Sequence, residues 1–537
     1  MILITSAAYI TDEFASEIGL IPPSFLPIGN KRLFEHQIEL LKQLKGKIYL
    51  SLPKGYRVES GDRHILQYLN VELIFVPENL SLGESILYCW NATGYPHDTL
   101  SILHGDTLFT DINLESQDHI SVHKNKGFYQ RASISIDSLH SEHFSNKWAG
   151  EDETVVSGYF SFTKPAKLMK GIVENNGDFV KALEQYATEV KLKEISSGHW
   201  FDLGHLNSFF RSRSEITTQR AFNEMKITTR VVQKASSNDN KMLAESNWFD
   251  SLPNSLRIHI PQLIEPFANN SESKGSYKLE YLYLLPLSDL FVYGALSLGA
   301  WNRICDSVAL VMREFSQFET KDFDLKETDK LYLPKTLDRL RNFQKQSSFD
   351  INKKLTWKKN SLISMSLTEM ANFSSQYINK AKLDDIAIVH GDMCFSNILF
   401  DSRIQAVKLI DPRGLSANGN VTIWGDKRYD LAKFYHSALG LYDLIIANRF
   451  KIDVANDIYN IEFSSGINQL DLSNVIKKSI FEKSKYEESE IIAINVQLFL
   501  SMLPLHYDRP DRQQAMIANA LRLTSKLVKL ETLNKCL

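Results

Sequence analysis

The first two hundred residues alternate short apolar runs with stretches of helical periodicity. Four of these runs have the length and composition of buried β-strands: MILITSA (1–7), KIYLSL (47–52), VELIFV (71–76) and LSILHGD (100–106). Residues 30–44 place Leu33, Ile38, Leu40 and Leu41 on one side at helical spacing, and further helices are predicted around 181–190 and 206–225. Alternating strands and helices predict an α/β domain.

The pattern changes near residue 225. TTRVVQK (228–234) reads as a strand, ASSNDN as a polar turn and the following segment as a helix. Beyond it helices dominate, apart from a β pair predicted at AIVHGD (387–392) and AVKLIDP (406–412). We therefore predict two domains, residues 1–224 and residues 225–537, with no low-complexity linker between them.

Length and composition narrow the class of protein. A chain of 537 residues is too long for one hydrophobic core. With 61 basic and 64 acidic residues the net charge is -3, so nothing indicates a nucleic-acid partner. The four cysteines fit neither a zinc spacing nor a disulfide framework, which favours a reducing compartment. Oligomeric state is not readable from the sequence.

The sequence shows neither the pattern of a secretory signal nor that of a membrane span. The N-terminal strand has no basic flank ahead of it, which argues against a secretory signal. The longest apolar candidate, residues 491–505, is interrupted by Asn495 and Gln497 and is predicted to be a buried helix rather than a membrane span. We expect a cytoplasmic protein without membrane insertion.

The triplet His-Gly-Asp occurs twice, each time after an apolar run. In the second, Asp392 is followed by Asn397 and, after a further strand, by Asp411. Phosphoryl transfer needs a carboxylate at the attacking hydroxyl and oxygen ligands that hold Mg²⁺ on the nucleotide phosphates. Asp392 has the position for the first role, and Asn397 and Asp411 have the positions for the second.

HGDMCFSNILF together with LIDPRG resembles the catalytic and metal-binding motifs of the aminoglycoside phosphotransferase and choline kinase superfamily. The resemblance implies an α+β protein-kinase-like domain, with Asp392 as the catalytic residue and Asn397 and Asp411 as Mg²⁺ ligands. YDLAKFYHSALGLYD is similar to that family's helix after the metal loop, with Asp430 in the position that supports the catalytic loop. His390 is then a loop-shaping residue.

VVQKASSNDNKMLAESNWFDSLP resembles the small-lobe strand and helix of the same family. The resemblance implies ATP as phosphoryl donor, with Lys234 reaching its α- and β-phosphates and Glu245 orienting Lys234. The sequence departs from protein kinases in one respect. No glycine lies between Asn223 and Lys234, so the way in which the phosphates are covered is left open.

The first triplet belongs to another pattern. LPIGNKRLFEHQIELLK, LSLGESILY, ILHGDTLF, VVSGYFSF and HWFDLGHLNSFF follow the order of landmarks in sugar-phosphate nucleotidyltransferases, which they resemble. The resemblance implies a Rossmann-like GT-A fold that uses CTP or another NTP, with Mg²⁺ on Asp106 and Asp202. Gly83 would let the backbone approach the nucleotide base, and Gly158 would open the sugar pocket.

The same comparison exposes a defect in the expected phosphate loop. Such enzymes begin with a glycine-rich loop and basic residues, because backbone amides and cations hold the triphosphate. Here SAAYITDEFASEIGLIPPSFLPIG contains only Gly19 ahead of its Pro-Pro pair, carries Asp12, Glu13 and Glu17, and has Ser24 where a lysine is expected. Whether the N-terminal domain is active is left open.

Taken together, the two halves predict an ATP- and Mg²⁺-dependent kinase acting on a hydroxyl of a sugar, polyol or amino alcohol, fused to a nucleotidyltransferase-like domain. Such a pair suits precursor synthesis for capsule or surface polysaccharide. One alternative is a bifunctional enzyme that makes an NDP- or CDP-activated product, and another is a non-catalytic scaffold. Trp301 and Tyr293 fit either the core or a cation-binding aromatic box, and helical spacing favours the core.

Overall fold

The structure is a computed structural model. It describes residues 1–94, 97–114, 117–126, 130–136, 142–148, 150, 152–216, 224–269, 274–358, 363–466 and 469–536. The chain forms two compact units, Met1–Ile216 (unit 1) and Thr217–Leu537 (unit 2). The predicted boundary after residue 224 lies just beyond this division, across residues 217–223, which are outside the described part.

Within the described residues, unit 1 has thirteen strands, nine of which form one mixed sheet. Its strands are β1 (Ile2–Thr5), β2 (Pro27–Ile28), β3 (Lys31–Arg32), β4 (Ile48–Pro53), β5 (Val71–Val76), β6 (Leu100–His104), β7 (Thr107–Thr110), β8 (His119–Lys124), β9 (Gln130–Ile136), β10 (Glu142–Trp148), β11 (Thr154–Phe162), β12 (Lys193–Ile195) and β13 (His199–Asp202). The sheet order is β10-β9-β11-β6-β1-β4-β5, with β8 paired to both β11 and β12.

The parallel pairing of the central strands determines which residues lie together at the end of the sheet. Strand β1 lies parallel to β4 on one side and to β6 on the other, and β11 continues the sheet antiparallel to β6. Because parallel strands end at the same edge, Ser6 after β1 and Asp106 after β6 are brought to one edge of the sheet. Gly105 is required there, since a Cβ would come within 2.6 Å of the Thr5 carbonyl oxygen.

The helices of unit 1 cover this sheet. They are α1 (Asp12–Ile18), α2 (Leu33–Leu41), α3 (Ser60–Tyr68), α4 (Leu82–Ala92), α5 (Pro165–Glu174), α6 (Phe179–Glu189) and α7 (Leu206–Glu215), with a 3₁₀ turn at Pro23–Phe25. A core of apolar side chains from β1, β6, β11 and α4 to α6 fills one face of the sheet. The four predicted strands and the α/β architecture are present.

Two predicted helix boundaries are wrong. Residues 31 and 32 form strand β3 against β2, so α2 begins only at Leu33. The helix predicted over 206–225 ends at Glu215, and residues 224–227 are a strand instead. That segment pairs residue by residue with the strand Val231–Ser236, so sheet pairing overrides its helical periodicity.

Unit 2 begins with a four-stranded antiparallel sheet and has further short strands along its length. Its strands are β14 (Glu224–Ile227), β15 (Val231–Ser236), β16 (Leu263–Ala268), β17 (Gly275–Glu280), β18 (Leu285–Pro286), β19 (Leu355–Trp357), β20 (Ser364–Met365), β21 (Ile386–Ile388), β22 (Ile398–Asp401), β23 (Ala406–Leu409), β24 (Trp424–Asp426), β25 (Phe450–Ala455) and β26 (Ile458–Phe463). The first sheet has the order β14-β15-β17-β16.

The rest of unit 2 is mainly helical. Its helices are α8 (Asp239–Ser251), α9 (Leu287–Tyr293), α10 (Leu298–Phe315), α11 (Lys326–Asp329), α12 (Leu333–Ser347), α13 (Leu367–Ser375), α14 (Lys427–Ala438), α15 (Tyr442–Ile446), α16 (Gln469–Ile476), α17 (Glu488–Met502) and α18 (Pro510–Cys536). Short 3₁₀ segments lie at Asn254–His259, Leu383–Asp385, Phe395–Asn397 and Leu503–His506, and a π-helical turn at Lys477–Phe481.

Of two further predictions for unit 2, one is wrong and one is confirmed. The strands predicted as a β pair do not pair with each other: β21 pairs with β24, whereas β23 pairs with β22. The apolar segment predicted as a buried helix is α17. Within the described residues, Glu488–His506 is long and apolar enough to cross a membrane, but 78% of it is buried inside the protein.

Candidate active sites

An ion-paired triad lies between the first sheet of unit 2 and the segment after β23. The Lys234 ammonium on β15 is 2.6 Å from Oε2 of Glu245 on α8 and 2.9 Å from Oδ1 of Asp411. Burial lowers the pKa of Lys234, but the carboxylates of Asp411 and Glu245 outweigh it and leave that pKa above its usual value. Three residues predicted to serve one nucleotide therefore converge on one place.

Local structure explains why the triad forms. Lys234 stands opposite Tyr277 in the ladder of β15 and β17, and the Tyr277 hydroxyl donates to Oε2 of Glu245 at 2.6 Å. Asp411 adopts a left-handed backbone conformation, with φ of 58°. Gly414 lets the segment after Asp411 pack on α8, because a Cβ would come within 2.2 Å of the Ala244 carbonyl oxygen.

The predicted catalytic carboxylate, Asp392, lies in the loop after β21. Its Oδ1 is 2.8 Å from the ammonium of Lys433 on α14. The side-chain amide of Asn397 donates to the Asp392 carbonyl oxygen at 2.9 Å and to Oδ2 at 3.2 Å. The side chain of Asp392 remains 39% exposed, so a small molecule can reach its carboxylate.

Asp430 supports this loop from beneath. Its two carboxylate oxygens accept the backbone N–H groups of His390 and Gly391, each at 2.7 Å. These two hydrogen bonds, both accepted by one carboxyl group, fix the backbone just ahead of Asp392. The structure thus places Asp430 where the sequence-based reading expected it.

His390 connects the Asp392 loop to the segment that carries Asp411. Its Nε2 lies 2.9 Å from the Ile410 carbonyl oxygen, and its Nδ1 lies 3.3 Å from the Asp392 amide nitrogen, which donates to it. The neutral ring satisfies both partners, donating from Nε2 and accepting at Nδ1. Burial lowers the pKa of His390 to about 4, so the ring stays neutral near pH 7.

Charge at Asp392 is set by opposing effects. Burial raises the pKa of its carboxyl, but Lys433 outweighs burial and brings the value to about 2. Burial lowers the pKa of Lys433, but the attraction of the Asp392 carboxylate outweighs burial and raises that pKa. Asp392 is therefore an ionised carboxylate held by one ammonium.

Asn397 and Asp411 are neighbours in space, because the Ile410 amide donates to the Asn397 carbonyl oxygen at 3.0 Å. Their side chains offer amide and carboxylate oxygens, the hard donors that Mg²⁺ prefers. Among the described residues no three His, Cys, Asp or Glu side chains form a metal site on their own. Binding of Mg²⁺ by Asn397 and Asp411 stays a prediction.

The hairpin joining β14 to β15 occupies the position at which protein kinases have a glycine-rich loop, which this sequence lacks. Its turn is closed by Thr228, whose amide donates to the Val231 carbonyl oxygen at 2.9 Å. The Thr228 hydroxyl also accepts the amide of Val231 at 3.1 Å. Arg230 at the tip is exposed.

Four residues beside Asp392 were not anticipated from the sequence: Lys335, Arg413, Tyr429 and Lys433. Lys433 lies three residues after Asp430, and this i, i+3 spacing on a helix was a signal that could have found it. Lys335 contacts Tyr429 only through the packing of α12, and no sequence signal predicts that.

The proposed aromatic cation box is not an open site. Trp301 is fully buried, stacked on Phe395 with ring centroids 6.0 Å apart. Tyr293 is 2% exposed, and the Arg449 guanidinium lies 5.4 Å from its ring centroid. Both aromatic residues belong to the core.

In unit 1, Asp106 and Asp202 approach each other through the ladder of β7 and β13. Thr107 stands opposite Asp202, and the Leu203 amide donates to the Asp106 carbonyl oxygen at 2.9 Å. Gly204 permits this, since a Cβ would come within 2.3 Å of Asp106 Oδ2. The predicted metal pair is thus brought together at one end of the sheet.

Asp202 already has a cationic partner. Arg131 on β9 forms an ion pair with its Oδ2, and the Arg131 guanidinium lies 5.3 Å from the Trp200 ring centroid. Gly158, expected to open the sugar pocket, has φ of 97°, and a Cβ there would come within 2.9 Å of Thr107 Oγ1. It therefore lets β11 approach the turn that carries Asp106.

Gly83 has a packing requirement of its own. It lies in the first turn of α4, and a Cβ would come within 2.4 Å of the Gly177 carbonyl oxygen. Ser81 donates to the same oxygen at 2.9 Å. Close approach to protein backbone thus accounts for this glycine, while its contact with a nucleotide base stays a prediction.

The expected triphosphate loop of unit 1 is replaced by packed structure. Residues 6–29 contain no Lys or Arg, and helix α1 occupies their middle. Ser24, at the position where a lysine is expected, is buried, and its hydroxyl donates to the Gly105 carbonyl oxygen at 3.2 Å. Arg32, which follows this segment, is paired with Asp62 at 2.9 Å and buried.

Comparison with known proteins bears on the N-terminal region. No family model matches the chain. The Bifunctional protein GlmU of Methanococcus maripaludis (strain C7) is 25% identical over 210 residues, which cover 34% of this chain and 46% of that protein. This chain therefore spans less than half the length of that relative. The N-terminal region resembles sugar-phosphate nucleotidyltransferases.

Solved structures of similar type cover the same share of the chain. The inositol-1-phosphate CTP transferase from T. maritima is 17% identical, covers 41% of this chain and 97% of that one, and has a TM-score of 0.31. HddC from Yersinia pseudotuberculosis is 18% identical, covers 40% and 99%, and has a TM-score of 0.30.

Proposed function

We propose that unit 2 is an ATP- and Mg²⁺-dependent kinase that phosphorylates a hydroxyl group of a small molecule. One observation carries this proposal: Lys234 bonds to both Glu245 and Asp411, while Asp392 and Asn397 bond to each other beside them. A positioned lysine, two oxygen donors for a metal and an ionised carboxylate are the groups that phosphoryl transfer requires.

The reaction forms a bond between the acceptor oxygen and the γ-phosphorus and breaks the bond from that phosphorus to the β,γ-bridging oxygen, releasing ADP. Asp392 orients the acceptor hydroxyl and takes its proton. Lys234 binds the α- and β-phosphates, and Glu245 holds Lys234 in place. Asn397 and Asp411 would hold Mg²⁺, which would supply positive charge to offset the negative charge of the ATP phosphates.

Supporting residues keep Asp392 ready for this role. Lys433 keeps its carboxyl ionised, so it can accept a proton at neutral pH. Asp430 fixes the backbone of the loop through His390 and Gly391. No rearrangement of the loop is then needed when the acceptor arrives.

Nucleotidyl transfer in unit 1 is the second candidate, and the approach of Asp106 to Asp202 favours it. The absence of Lys and Arg from residues 6–29 weighs against it, since a triphosphate needs cations or exposed amides. A kinase beside such a unit would supply the phosphorylated substrate that nucleotidyl transfer consumes, as in the synthesis of surface polysaccharide precursors.

The test uses the full-length protein, Mg²⁺ and γ-labelled ATP with a panel of sugars, polyols and amino alcohols. Asp392→Asn should lower transfer by at least about 10²-fold and leave the thermal shift caused by an ATP analogue unchanged. Asp384→Asn, at an exposed carboxylate of the same unit, is the matched control. Undiminished turnover in Asp392→Asn would refute the kinase.

The same incubations separate the alternatives. Pyrophosphate release from CTP or another NTP, dependent on the phosphorylated product and lost in Asp106→Asn, would establish the bifunctional enzyme. Absence of transfer to every acceptor, together with no thermal shift by any nucleotide, would identify a non-catalytic scaffold.

A further inference from the structure

A cluster of positive charge surrounds Tyr429 beside the Asp392 loop. The Lys335 ammonium on α12 is 3.3 Å from the Tyr429 hydroxyl oxygen and 5.5 Å from its ring centroid. The Arg413 guanidinium lies 5.8 Å from the same centroid. Lys433, one turn further along α14, holds Asp392. We call Lys335, Arg413, Tyr429 and Lys433 the cationic cluster.

The cluster is fastened to the Asp392 loop. The Arg413 amide donates to the His390 carbonyl oxygen at 2.9 Å. Gly391, with φ of 76°, makes room for the Arg413 side chain, since a Cβ would come within 2.7 Å of Arg413 Cβ. Arg413 is therefore held against the loop that carries the predicted catalytic carboxylate.

Its charge is not balanced by acidic side chains. Asp392 pairs with Lys433, but among the described residues neither Lys335 nor Arg413 forms an ion pair with a carboxylate. Burial raises the pKa of the Tyr429 phenol, yet Lys335, Lys433 and Arg413 outweigh it and bring the value to about 8. The half-buried cations thus create a local excess of positive charge.

The excess charge lies around Asp392 and not around Lys234. The charge of Lys234 is matched by Glu245 and Asp411. Lys335 lies on α12, Tyr429 and Lys433 lie on α14, and Arg413 lies two residues after Asp411, hydrogen-bonded to the Asp392 loop. An acceptor whose hydroxyl meets Asp392 would therefore extend over Lys335, Arg413 and Tyr429.

Resting on the kinase proposed above, we infer that the acceptor carries an anionic group, a phosphate or carboxylate, that binds Lys335 and Arg413 while its hydroxyl faces Asp392. Planar guanidinium and ammonium donors suit such oxygens. A cationic acceptor such as an amino alcohol would be repelled here. The aromatic box that could have received it is buried, with Arg449 over Tyr293.

The first test measures acceptor preference. Full-length protein with Mg²⁺ and labelled ATP is given two sets of matched acceptors, glycerol, glycerol 3-phosphate and glycerate, and glucose, glucose 6-phosphate and glucuronate, with choline as the cationic probe. We expect an anionic member to exceed its neutral parent by about tenfold or more in kcat/KM. The phosphate and carboxylate members distinguish the two anions. Preference for a neutral or cationic acceptor would overturn the inference.

Variants locate the effect. Lys335→Gln and Arg413→Gln should each raise the KM for the anionic acceptor by about tenfold or more while the KM for ATP changes less than about twofold. Lys427→Gln, on the same helix as Tyr429 but paired with Glu319, is the matched control and should alter neither constant. A rise confined to the KM for ATP would assign the cluster to the nucleotide and overturn the inference.

A second readout is independent of turnover. Tyrosinate absorbance at 295 nm, taken as the difference from Tyr429→Phe, reports the ionisation of Tyr429 near pH 8. A bound anion should raise its pKa and reduce the signal with glycerol 3-phosphate but not with glycerol. If no acceptor is phosphorylated, the kinase proposal fails, and this titration still decides whether the cluster binds anions. An unchanged signal would count against the inference.

Discussion

The Lys234 ammonium lies 2.6 Å from one carboxylate oxygen of Glu245, whereas the Lys241 ammonium lies 3.6 Å from the other. The two lysines differ in burial: the Lys234 side chain is 4% exposed and that of Lys241 is 41% exposed. Lys234 also reaches Asp411, at 2.9 Å. One glutamate thus has a buried partner beside the nucleotide residues and a second partner at the surface.

This difference gives a matched pair of variants. Lys234→Met should lower kinase turnover by about 10²-fold or more and destabilise unit 2 by about 3 to 5 kcal/mol, because two carboxylates lose a buried ammonium. Lys241→Met should change stability by less than about 1 kcal/mol. Kinetics and calorimetric melting measure both effects. Equal losses in the two variants would remove the special role of Lys234.

A second prediction concerns the ionisation of Asp392. Lys433 is the main cause of its low pKa, while burial acts the other way. Lys433→Met removes the largest effect that lowers this pKa and leaves burial opposed by the weaker attraction of Arg413, so the pKa of Asp392 should rise above its ordinary value. The rate should then fall between pH 7 and pH 5, a decline that Asp392 does not cause in the wild type.

The measurement is kcat/KM over this pH range in both proteins. Lys433→Arg keeps the positive charge and should restore the wild-type profile, whereas a variant that acts by misfolding would lose rate equally at all pH values. If Lys433→Met keeps the wild-type profile, Asp392 is not the group whose proton limits the reaction.

Contacts between side chains of one short sequence motif could be predicted from the sequence. The order of Asp392, Asn397 and Asp411 around a strand, and of Lys234 and Glu245 on a strand and helix, was enough to predict that these side chains meet. Each is carried by a short element whose ends are signalled by the sequence itself. The roles assigned to them remain predictions that the variants above test.

Contacts made by packing could not be predicted in this way. Lys335 and Tyr429 are 94 positions apart and meet only because α12 and α14 both pack against α17. Arg131 reaches Asp202 from β9, whose position depends on pairing with β11. The segment at 224–227 has helical periodicity yet forms a strand, since a partner strand was available. Tertiary context decides each of these cases.

A third prediction uses the buried His390. Its pKa in the folded protein is about 4, mainly because of burial, against an ordinary value of 6.5. The unfolded chain therefore binds a proton over this range more readily than the folded one, so the contribution of His390 is present above pH 6.5 and is lost as the pH falls toward 4. The loss amounts to about 3 kcal/mol.

In His390→Gln the melting temperature of unit 2 should depend less on pH between 6.5 and 4.5 than in the wild type. Calorimetric scans of both proteins across that range give the comparison, with His64→Gln, at an exposed histidine, as the control. Parallel pH dependence in wild type and His390→Gln would show that the ring does not stay neutral in the folded protein.

The last prediction concerns Arg32, which follows the segment expected to hold a triphosphate in unit 1. Its guanidinium bonds to Asp62 at 2.9 Å and donates to the Phe25 carbonyl oxygen at 2.7 Å, with 3% of the side chain exposed. Arg32→Met should cost about 3 to 5 kcal/mol, because Asp62 loses this ion pair inside the protein. Lys31→Met, one residue earlier and exposed, should change stability by less than about 0.5 kcal/mol.

Binding separates a structural role of Arg32 from a phosphate-binding one. If unit 1 binds CTP or another NTP, Lys31→Met tests whether the exposed lysine contributes, while the double variant Arg32→Met/Asp62→Leu removes the buried pair as a whole. The double variant should regain much of the stability lost in Arg32→Met, since it leaves no uncompensated charge. Should it regain stability yet lose nucleotide affinity, Arg32 would contact the phosphates after all, and the buried pair would have to open when the nucleotide binds.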